Sequence, residues 1–304
     1  MEILKIVNEL KIICKHSEII ENYDTSLLSS YALGGPAQVC VFPYNEPELI
    51  EILKFLRGNY IKTTILGGGT NILISDRGIT GVTVVLSHLQ KLKVTDNIIK
   101  TGAGVSSSDI ASIALKNNLT GAEFLAGLPG TIGGAAWMNA RAFGSEISRI
   151  LRSARVLDYD GNISTYLNNS EDFEYKSSPF RKYNFIITEL ELELSSGNPE
   201  DIKLLMDSNY AHRHKNGETK WPSCGCVFKN PPGASAGKLI DDCSLKGKKE
   251  GNVFVSNYHA NFIVYEGSCT ASSIKTMMET VRKEVYEKKK VLLEYEVEFI
   301  GDWN

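Results

Sequence analysis

Several things are missing from this sequence, and each absence excludes something. No apolar run approaches the roughly eighteen residues of a membrane-spanning helix, so no membrane partner is expected. Neither charge is in excess: 33 Lys and Arg stand against 36 Asp and Glu, a net charge of −3. No global field therefore favours nucleic acid, and an anionic ligand must be held by local groups. No G-x-G-x-x-G opens a helix after a strand, which excludes a Rossmann dinucleotide site. Internal repeats and low-complexity segments are absent as well. Metal-ligand spacing is poor: His212-x-His214 and Cys224-x-Cys226 each leave a single residue between the pair, where structural zinc wants about two to four. No metal is expected. Glu2, Lys5, Glu9, Lys11 and Lys15 interrupt every apolar run near the N-terminus, whereas an export signal needs an unbroken apolar core. A cytoplasmic protein follows as the expectation, with Cys14, Cys40, Cys224, Cys226, Cys243 and Cys269 as free thiols.

What is present centres on Gly121 to Gly144, GAEFLAGLPGTIGGAAWMNARAFG, with six glycines and Pro129 in an almost uncharged stretch. Glycine puts no Cβ in the way of a ligand and adopts positive φ readily. Successive N–H groups in such loops form concavities that bind anions. A buried helix–turn–helix with glycines where backbones touch is the competing account. A second loop shifts the balance. Thr63 to Leu66 reads as a buried strand running into Gly67-Gly68-Gly69-Thr70-Asn71, after which the apolar run resumes at Ile72. Two glycine loops about sixty residues apart suit a cofactor with a pyrophosphate and an extended ring system.

Taken in order, the chain predicts an amphipathic helix over 1–22, a strand over 37–42, a helix over 47–57 with Pro47 in its first turn, and strands at 63–66, 72–75 and 82–86. Strands at 93–94 and 98–101 follow, then a helix over 109–117 capped by Ser107 or Ser108. Beyond the glycine stretch come strands at 154–159, 163–167 and 185–194, the first two joined at Asp160-Gly161, a hairpin signal. Ser195 to Pro199 marks a boundary before a helix over 199–213. Later elements are strands at 253–255 and 261–265, a helix over 270–290, and a last strand over 291–300. That strand alternates, Leu293, Tyr295, Val297 and Phe299 against Glu294, Glu296 and Glu298, which reads as a hydrated outer face.

The run GAEFLAGLPGTIGGAAWMN resembles the G-L-E-F-x-x-G-I-P-G-T-I/V-G-G-A-x-x-M-N run of the UDP-N-acetylenolpyruvoylglucosamine reductases, the MurB flavoenzymes of peptidoglycan synthesis. LGGPA at 33–37, LGGGTN at 66–71, CGCVFKNP at 224–231, AGKLID at 236–241, LKG at 245–247, VSNYHANFIV at 255–264 and LLEYEVEFIG at 292–301 are similar to further family runs, in the family's order. The length is similar to the shorter, second type of the enzyme. The resemblance implies an α+β, three-domain flavoenzyme with two FAD-binding domains of the PCMH or vanillyl-alcohol-oxidase type. These would be 1–91 and 92–197, with the C-terminal strand at 291–304 returning to the latter; a substrate domain would span 198–290. It further implies FAD as cofactor, NADPH as co-substrate, a UDP-sugar enolpyruvyl ether as the small-molecule partner, and a monomer. FAD would be held by Gly67, Gly68, Gly69, Thr70 and Asn71 in one loop and by Gly127, Pro129, Gly130, Thr131, Gly133, Gly134, Ala135 and Asn139 in the other. Tyr175, Lys229 and Asn230 would contact the substrate.

The implied reaction adds hydride to an acrylate-like double bond, so negative charge builds on the substrate carboxylate. It needs cationic or hydrogen-bond stabilisation there and a proton donor at the neighbouring carbon. The family uses an Arg, a Ser and a Glu. The Ser position falls on Cys226, whose thiol, with an ordinary pKa of about 8.5, is mostly protonated at neutral pH and can donate. The Arg position falls on Lys176, which keeps the charge and loses the planar fork; Arg181 is the alternative source of that charge. The Glu falls on Glu296. Ala32, Arg141, Phe143 and Gly217-Glu218-Thr219 also depart from the family pattern. Two rival readings stand beside the reductase: a sugar or alcohol oxidase on the same scaffold, and an impaired homologue that binds flavin and UDP-sugar without turnover.

Overall fold

The computed structural model describes residues 2–217 and 219–303. The chain forms two compact units that do not follow sequence order: Met1–Tyr23, Gln38–Gly68 and Gly81–Ala211 make the first, and Asp24–Ala37, Gly69–Thr80 and His212–Asn304 the second.

In the first unit a four-stranded sheet has the order Glu18–Tyr23, Ala37–Phe42, Ile79–Val85, Thr63–Leu66. Its last two strands are parallel, with Thr63 opposite Val82. Helices Ile3–Ile13 and Glu46–Gly58 close its core of Val7, Leu10, Leu49, Ile52, Val82 and Val84. The N-terminal helix is shorter than the 1–22 its apolar spacing predicts. The Glu48 carboxylate accepts from the backbone N–H groups of His16 (3.2 Å) and Ser17 (2.9 Å), which turns the chain, and β-branched Ile19 and Ile20 then lie in a strand. Asn45 caps the second helix by accepting from Glu48 N at 2.9 Å.

A five-stranded antiparallel sheet in the same unit has the order Ile163–Leu167, Leu151–Leu157, Ile186–Glu193, Ile98–Gly102, Leu92–Thr95. Its first hairpin closes around Gly161 at φ 81°. Ser106, not Ser107 or Ser108, caps helix Ser107–Lys116. The boundary expected near 195–199 is absent from the packing. Ser195–Ser196 pairs with Leu119–Thr120, and helix Pro199–Lys215 buries Ile202 and Met206 in the core of this unit. Asn209 Nδ2 also donates to Glu123 O at 2.9 Å.

The second unit packs helices Ala236–Asp242 and Ala271–Lys289 with a three-stranded sheet, Lys249–Glu250, Val253–Val255, Ile263–Tyr265. Met277, Met278, Val281 and Val285 fill its core with Tyr31 and Leu73. Asp76 accepts from the first two N–H groups of the long helix, Ala271 and Ser272, both at 2.8 Å. The C-terminal strand, expected over 291–300 and against the 92–197 segment, is only Glu298–Ile300 and pairs in parallel with Ile72–Ile74. Regular pairing fails upstream because the Glu296 and Val297 N–H groups share one acceptor, Val227 O, at 2.8 and 3.4 Å. Two residues opposite one break the alternation, and Glu296 and Val297 are both buried, at 7% and 3% exposure.

Candidate active site

In the first unit the strand Thr63–Leu66 delivers Gly67 and Gly68 against the second glycine loop. A Cβ on Gly68 would stand 2.7 Å from both Gly130 Cα and Thr131 N, and one on Gly67 would stand 2.9 Å from Thr131 Oγ1. Gly133 is as tightly placed, 2.6 Å from Ala103 Cβ. Gly68 lies against backbone, and Gly67 and Gly133 lie against the Thr131 hydroxyl and the Ala103 Cβ, which explains these glycines sterically. Gly134 differs: only Thr131 Oγ1, at 3.4 Å, lies within contact range of its missing Cβ. Protein packing therefore does not require glycine there, and the missing Cβ leaves open space on that face. Thr131 caps helix Ile132–Trp137, its Oγ1 accepting from Gly134 N at 3.3 Å.

The same stretch holds the turn that carries Lys176. Asn139 is 1% exposed with φ 48°. Its Oδ1 accepts from Ser148 N at 3.1 Å and its Nδ2 donates to Glu174 O at 3.3 Å. Glu174 and Ser177 exchange two backbone hydrogen bonds at 3.1 and 3.2 Å, closing a tight turn over Tyr175 and Lys176. Lys176 has φ 58°, a conformation costly for a side-chain-bearing residue and frequent at functional sites. Arg181 stacks on Trp137 with its guanidinium carbon 5.1 Å from the ring centroid.

In the second unit the CGCVFKN segment runs antiparallel to Glu294–Val297. Phe228 bridges Tyr295, with the rings stacked at 5.3 Å, and Lys229 N donates to Glu294 O at 2.9 Å. Asn261, 2% exposed, fixes the segment. Its Oδ1 accepts from Phe228 N at 3.0 Å, its Nδ2 donates to Phe228 O at 2.8 Å, and its backbone O accepts from Val227 N at 2.9 Å. Sequence reasoning gave Asn261 no role although its run was quoted; only its hydrogen bonds reveal it. Asn71 grips the other side, Nδ2 donating to Glu296 O at 2.9 Å and its backbone O accepting from Glu298 N at 3.0 Å.

Cys226 is half-buried against Phe254, Phe262 and Val264. Cys224 is buried in the other apolar cluster, with Tyr31. Burial, and secondarily the charge of Glu296, push its thiol up to about 12. Glu294 is 77% exposed along its side chain and pairs with Lys229 Nζ at 3.6 Å. Glu296 is thus the buried member of the three carboxylates that alternation could not separate. Asn230 Oδ1 accepts from Ala236 N at 2.9 Å, the start of helix Ala236–Asp242. The structure therefore brings the Cys226 segment, Glu296 and Asn71 together in the second unit. Gly67, Gly68, Gly127, Pro129, Gly130, Thr131, Gly133, Gly134, Ala135, Asn139, Tyr175 and Lys176 belong to the first, and Gly69, Thr70, Lys229 and Asn230 to the second. Glu218 lies outside the described residues.

The chain is similar to known proteins over most of its length. A model of the UDP-N-acetylenolpyruvoylglucosamine reductase C-terminal domain matches residues 217–300, and an FAD binding domain model matches residues 37–166. UDP-N-acetylenolpyruvoylglucosamine reductase 2 of Bacillus cereus is 41% identical over 288 residues, 95% of this chain and 93% of its own. The reductase of Caldanaerobacter subterraneus is 39% identical over 297 residues, 98% of each chain. The crystal structure of the MurB reductase from Thermus caldophilus superposes with a TM-score of 0.77 at 31% identity, over 94% of this chain and 99% of that one. On its length, its motifs and its fold, the chain belongs to the UDP-N-acetylenolpyruvoylglucosamine reductase (MurB) family of flavoenzymes.

Proposed function

We propose that Cys226, Lys176 and Glu296 carry the proton and charge chemistry in this chain's version of its family's reaction. That reaction is the NADPH-dependent, FAD-mediated reduction of UDP-N-acetylglucosamine enolpyruvate to UDP-N-acetylmuramate. FAD, when bound, supplies the hydride, taken from NADPH, that adds to the enolpyruvyl methylene. Gly67 and Gly68 with Gly127 to Ala135 hold it on the first unit's side, the open face of Gly134 giving room for close approach. Gly69, Thr70 and Asn71 complete the first loop. The first unit serves as the main FAD-binding part, and the second unit, from His212 onward, as the substrate-binding part.

The Cys226 thiol gives its proton to the carbon next to the reduced one, at a pH where a thiol is still protonated. The Lys176 ammonium stabilises the charge that builds on the substrate carboxylate, as a point charge rather than a fork. Glu296 orients or resupplies that proton. The observation that carries this reading is Glu296 itself: buried, and hydrogen-bonded through its N–H to Val227 O, one residue from Cys226. Tyr175, Lys229 and Asn230 contact the sugar nucleotide. The enzyme acts as a cytoplasmic monomer. Among the described residues no helix is long and apolar enough to cross a membrane.

Anaerobic stopped-flow tests the proposal. NADPH bleaches the bound flavin, and UDP-N-acetylglucosamine enolpyruvate then restores its absorbance. A flavin that stays reduced in the second step sinks the reading and leaves an impaired homologue.

A further inference from the structure

Lys176 occupies a backbone conformation that its surroundings have to impose. It is the second of the two residues inside the Glu174–Ser177 turn and has φ 58°, a left-handed position that Gly or Asn takes at little cost and a lysine does not. Such a residue persists only where neighbouring structure over-determines it. Two ties do so here, one on each flank of the turn. Before it, Glu174 O accepts from Asn139 Nδ2 at 3.3 Å. After it, buried Ser178 donates through Oγ to Trp137 O, and the same oxygen accepts from Arg181 N at 3.3 Å. Both ties lead to one place, residues 137–139 at the end of helix Ile132–Trp137, whose other end is the glycine loop.

Asn139 does more than end that helix. Its N–H donates to Ala136 O at 3.1 Å and the Ala140 N–H to Ala135 O at 2.7 Å, the paired bonds of a left-handed helix terminus. That role asks only for φ 48°, which glycine meets without strain. The amide is left to be explained, and both its atoms go to backbone: Oδ1 accepts from Ser148 N at 3.1 Å while Nδ2 reaches Glu174 O. Ser148 is held in turn, its O accepting from Asn168 Nδ2 at 3.0 Å and its Oγ donating to Glu146 Oε1 at 2.8 Å. With 1% of its surface exposed, Asn139 offers no face to a ligand. What it does present is a fixed donor to the carbonyl that opens the lysine turn.

We infer that Asn139 is a positioning residue for flavin reoxidation. It acts through Glu174 O on the Lys176 turn, and so sets where the ammonium stands when charge builds on the substrate carboxylate. The Lys176 assignment proposed above underlies this role. Asn139 thereby leaves the set of groups that hold FAD, and the helix leaving the glycine loop links the cofactor's seat to the ammonium. A lysine reaches its target as a point charge on a flexible stem, so its placement depends on the backbone from which the stem starts. Releasing such a tie displaces the charge rather than removing it, and a displacement of about 1 Å costs up to about 10²-fold in rate.

The test uses the flavin-loaded enzyme in anaerobic stopped-flow. Asn139→Gly keeps the left-handed helix terminus and deletes the amide. It is expected to slow flavin reoxidation by saturating UDP-N-acetylglucosamine enolpyruvate about 10–100-fold, with reduction by NADPH and the flavin-to-protein absorbance ratio changed far less. Lys176→Met removes the ammonium, and Asn139→Gly added to it slows the reaction no further, because nothing is left to position. Asn139→Asp gives a signature that a merely structural role lacks. It keeps the acceptor for Ser148 N, but when ionised it turns a second acceptor towards Glu174 O; when protonated it donates there again. Burial raises such a carboxyl above its ordinary value of about 3.9, so the reoxidation rate of Asn139→Asp relative to wild type climbs as pH falls from about 8.5 to about 5.5, while the ratio for Asn139→Gly stays flat. The charged groups on the elements tied to Asn139 (Glu146 with Arg141, Glu174, Lys176 and Arg181) are the same in wild type and both variants and cancel in the ratio. Losses that add in the double variant, equal loss of both half-reactions, or a flat ratio for Asn139→Asp overturn the positioning role. A Lys176→Met enzyme that reoxidises at the wild-type rate overturns the Lys176 assignment on which that role rests.

Discussion

The two glycine loops and the pairing of the CGCVFKN segment with Glu294–Val297 are built in opposite ways. In the first unit, segments meet through the absence of side chains: Gly68 on Gly130, Gly67 on Thr131, Gly133 on Ala103. In the second, segments meet through side chains that reach for backbone: Asn261 to Phe228, Asn71 to Glu296, Arg282 Nε to Leu293 O at 2.9 Å. The first kind of site cannot tolerate an added atom. The second cannot tolerate a lost one. That contrast sorts the expected effects of substitution.

The largest effect concerns chemistry. Cys226→Ala is expected to slow flavin reoxidation by the sugar nucleotide about 10²–10⁴-fold, the usual loss on removing a general acid, while reduction by NADPH proceeds. Cys226→Ser is expected to keep turnover. Stopped-flow of the two half-reactions reads this, and equal loss in both halves makes Cys226 structural. Next come the two structural tests. Asn261→Ala strands the buried N–H and C=O of Phe228 and is expected to cost roughly 2–4 kcal/mol in a denaturant titration. Gly68→Ala forces a methyl into the Gly130 backbone, and overpacking of that kind costs about 1–3 kcal/mol. Its distinguishing sign is lost flavin, read as the absorbance ratio of flavin to protein after gel filtration. A Gly68→Ala protein with full flavin would break the comparison.

A smaller, graded effect comes from alkali. Burial pushes the thiols of Cys40 and Cys224 up to about 12 from an ordinary 9.0. A folded pKa raised above the unfolded one means the folded state holds protons the unfolded state has released. The stability is complete below pH 9 and falls as pH rises toward 12, by about 1.4 kcal/mol per pH unit per thiol. Thermal melts between pH 8 and 10.5 read the slope, and Cys40→Ala should make it shallower. The smallest effect is at the surface. Lys229→Met removes the exposed pair with Glu294 and is expected to change stability by less than about 1 kcal/mol, leaving any change in KM attributable to substrate contact.

The same contrast decides what could be read from sequence. A site made of glycines shows in composition, so both loops were legible, as were the helices found over 46–58 and 271–289, whose capping residues Asn45 and Thr270 only the structure identified. Glu296 was not selectable by period. Its inward turn depends on two N–H groups sharing Val227 O, sixty-nine positions away and outside any window of periodicity. Asn261 is an unremarkable polar residue until its three bonds are seen. The first helix was overextended because the apolar spacing continues past Ile13, while the turn that ends it is made by Glu48, in another element. Lys176 was placed by motif alone; its φ of 58° is a property no pattern of residue types displays.

The C-terminal strand has one further consequence. Its partner, Ile72–Ile74, precedes it by more than two hundred residues, and Asp76 and Tyr31, from equally remote parts of the chain, are built into the same unit. A fragment begun at His212 would lack a strand, a helix-capping carboxylate and a core tyrosine all at once. Loop closure over such a span is entropically slow. During synthesis the early segments 24–37 and 69–80, which hydrogen-bond to each other through Ser30 N to Gly69 O and Gly35 N to Ser75 O, must therefore wait for these later partners until residues 271–300 have been made.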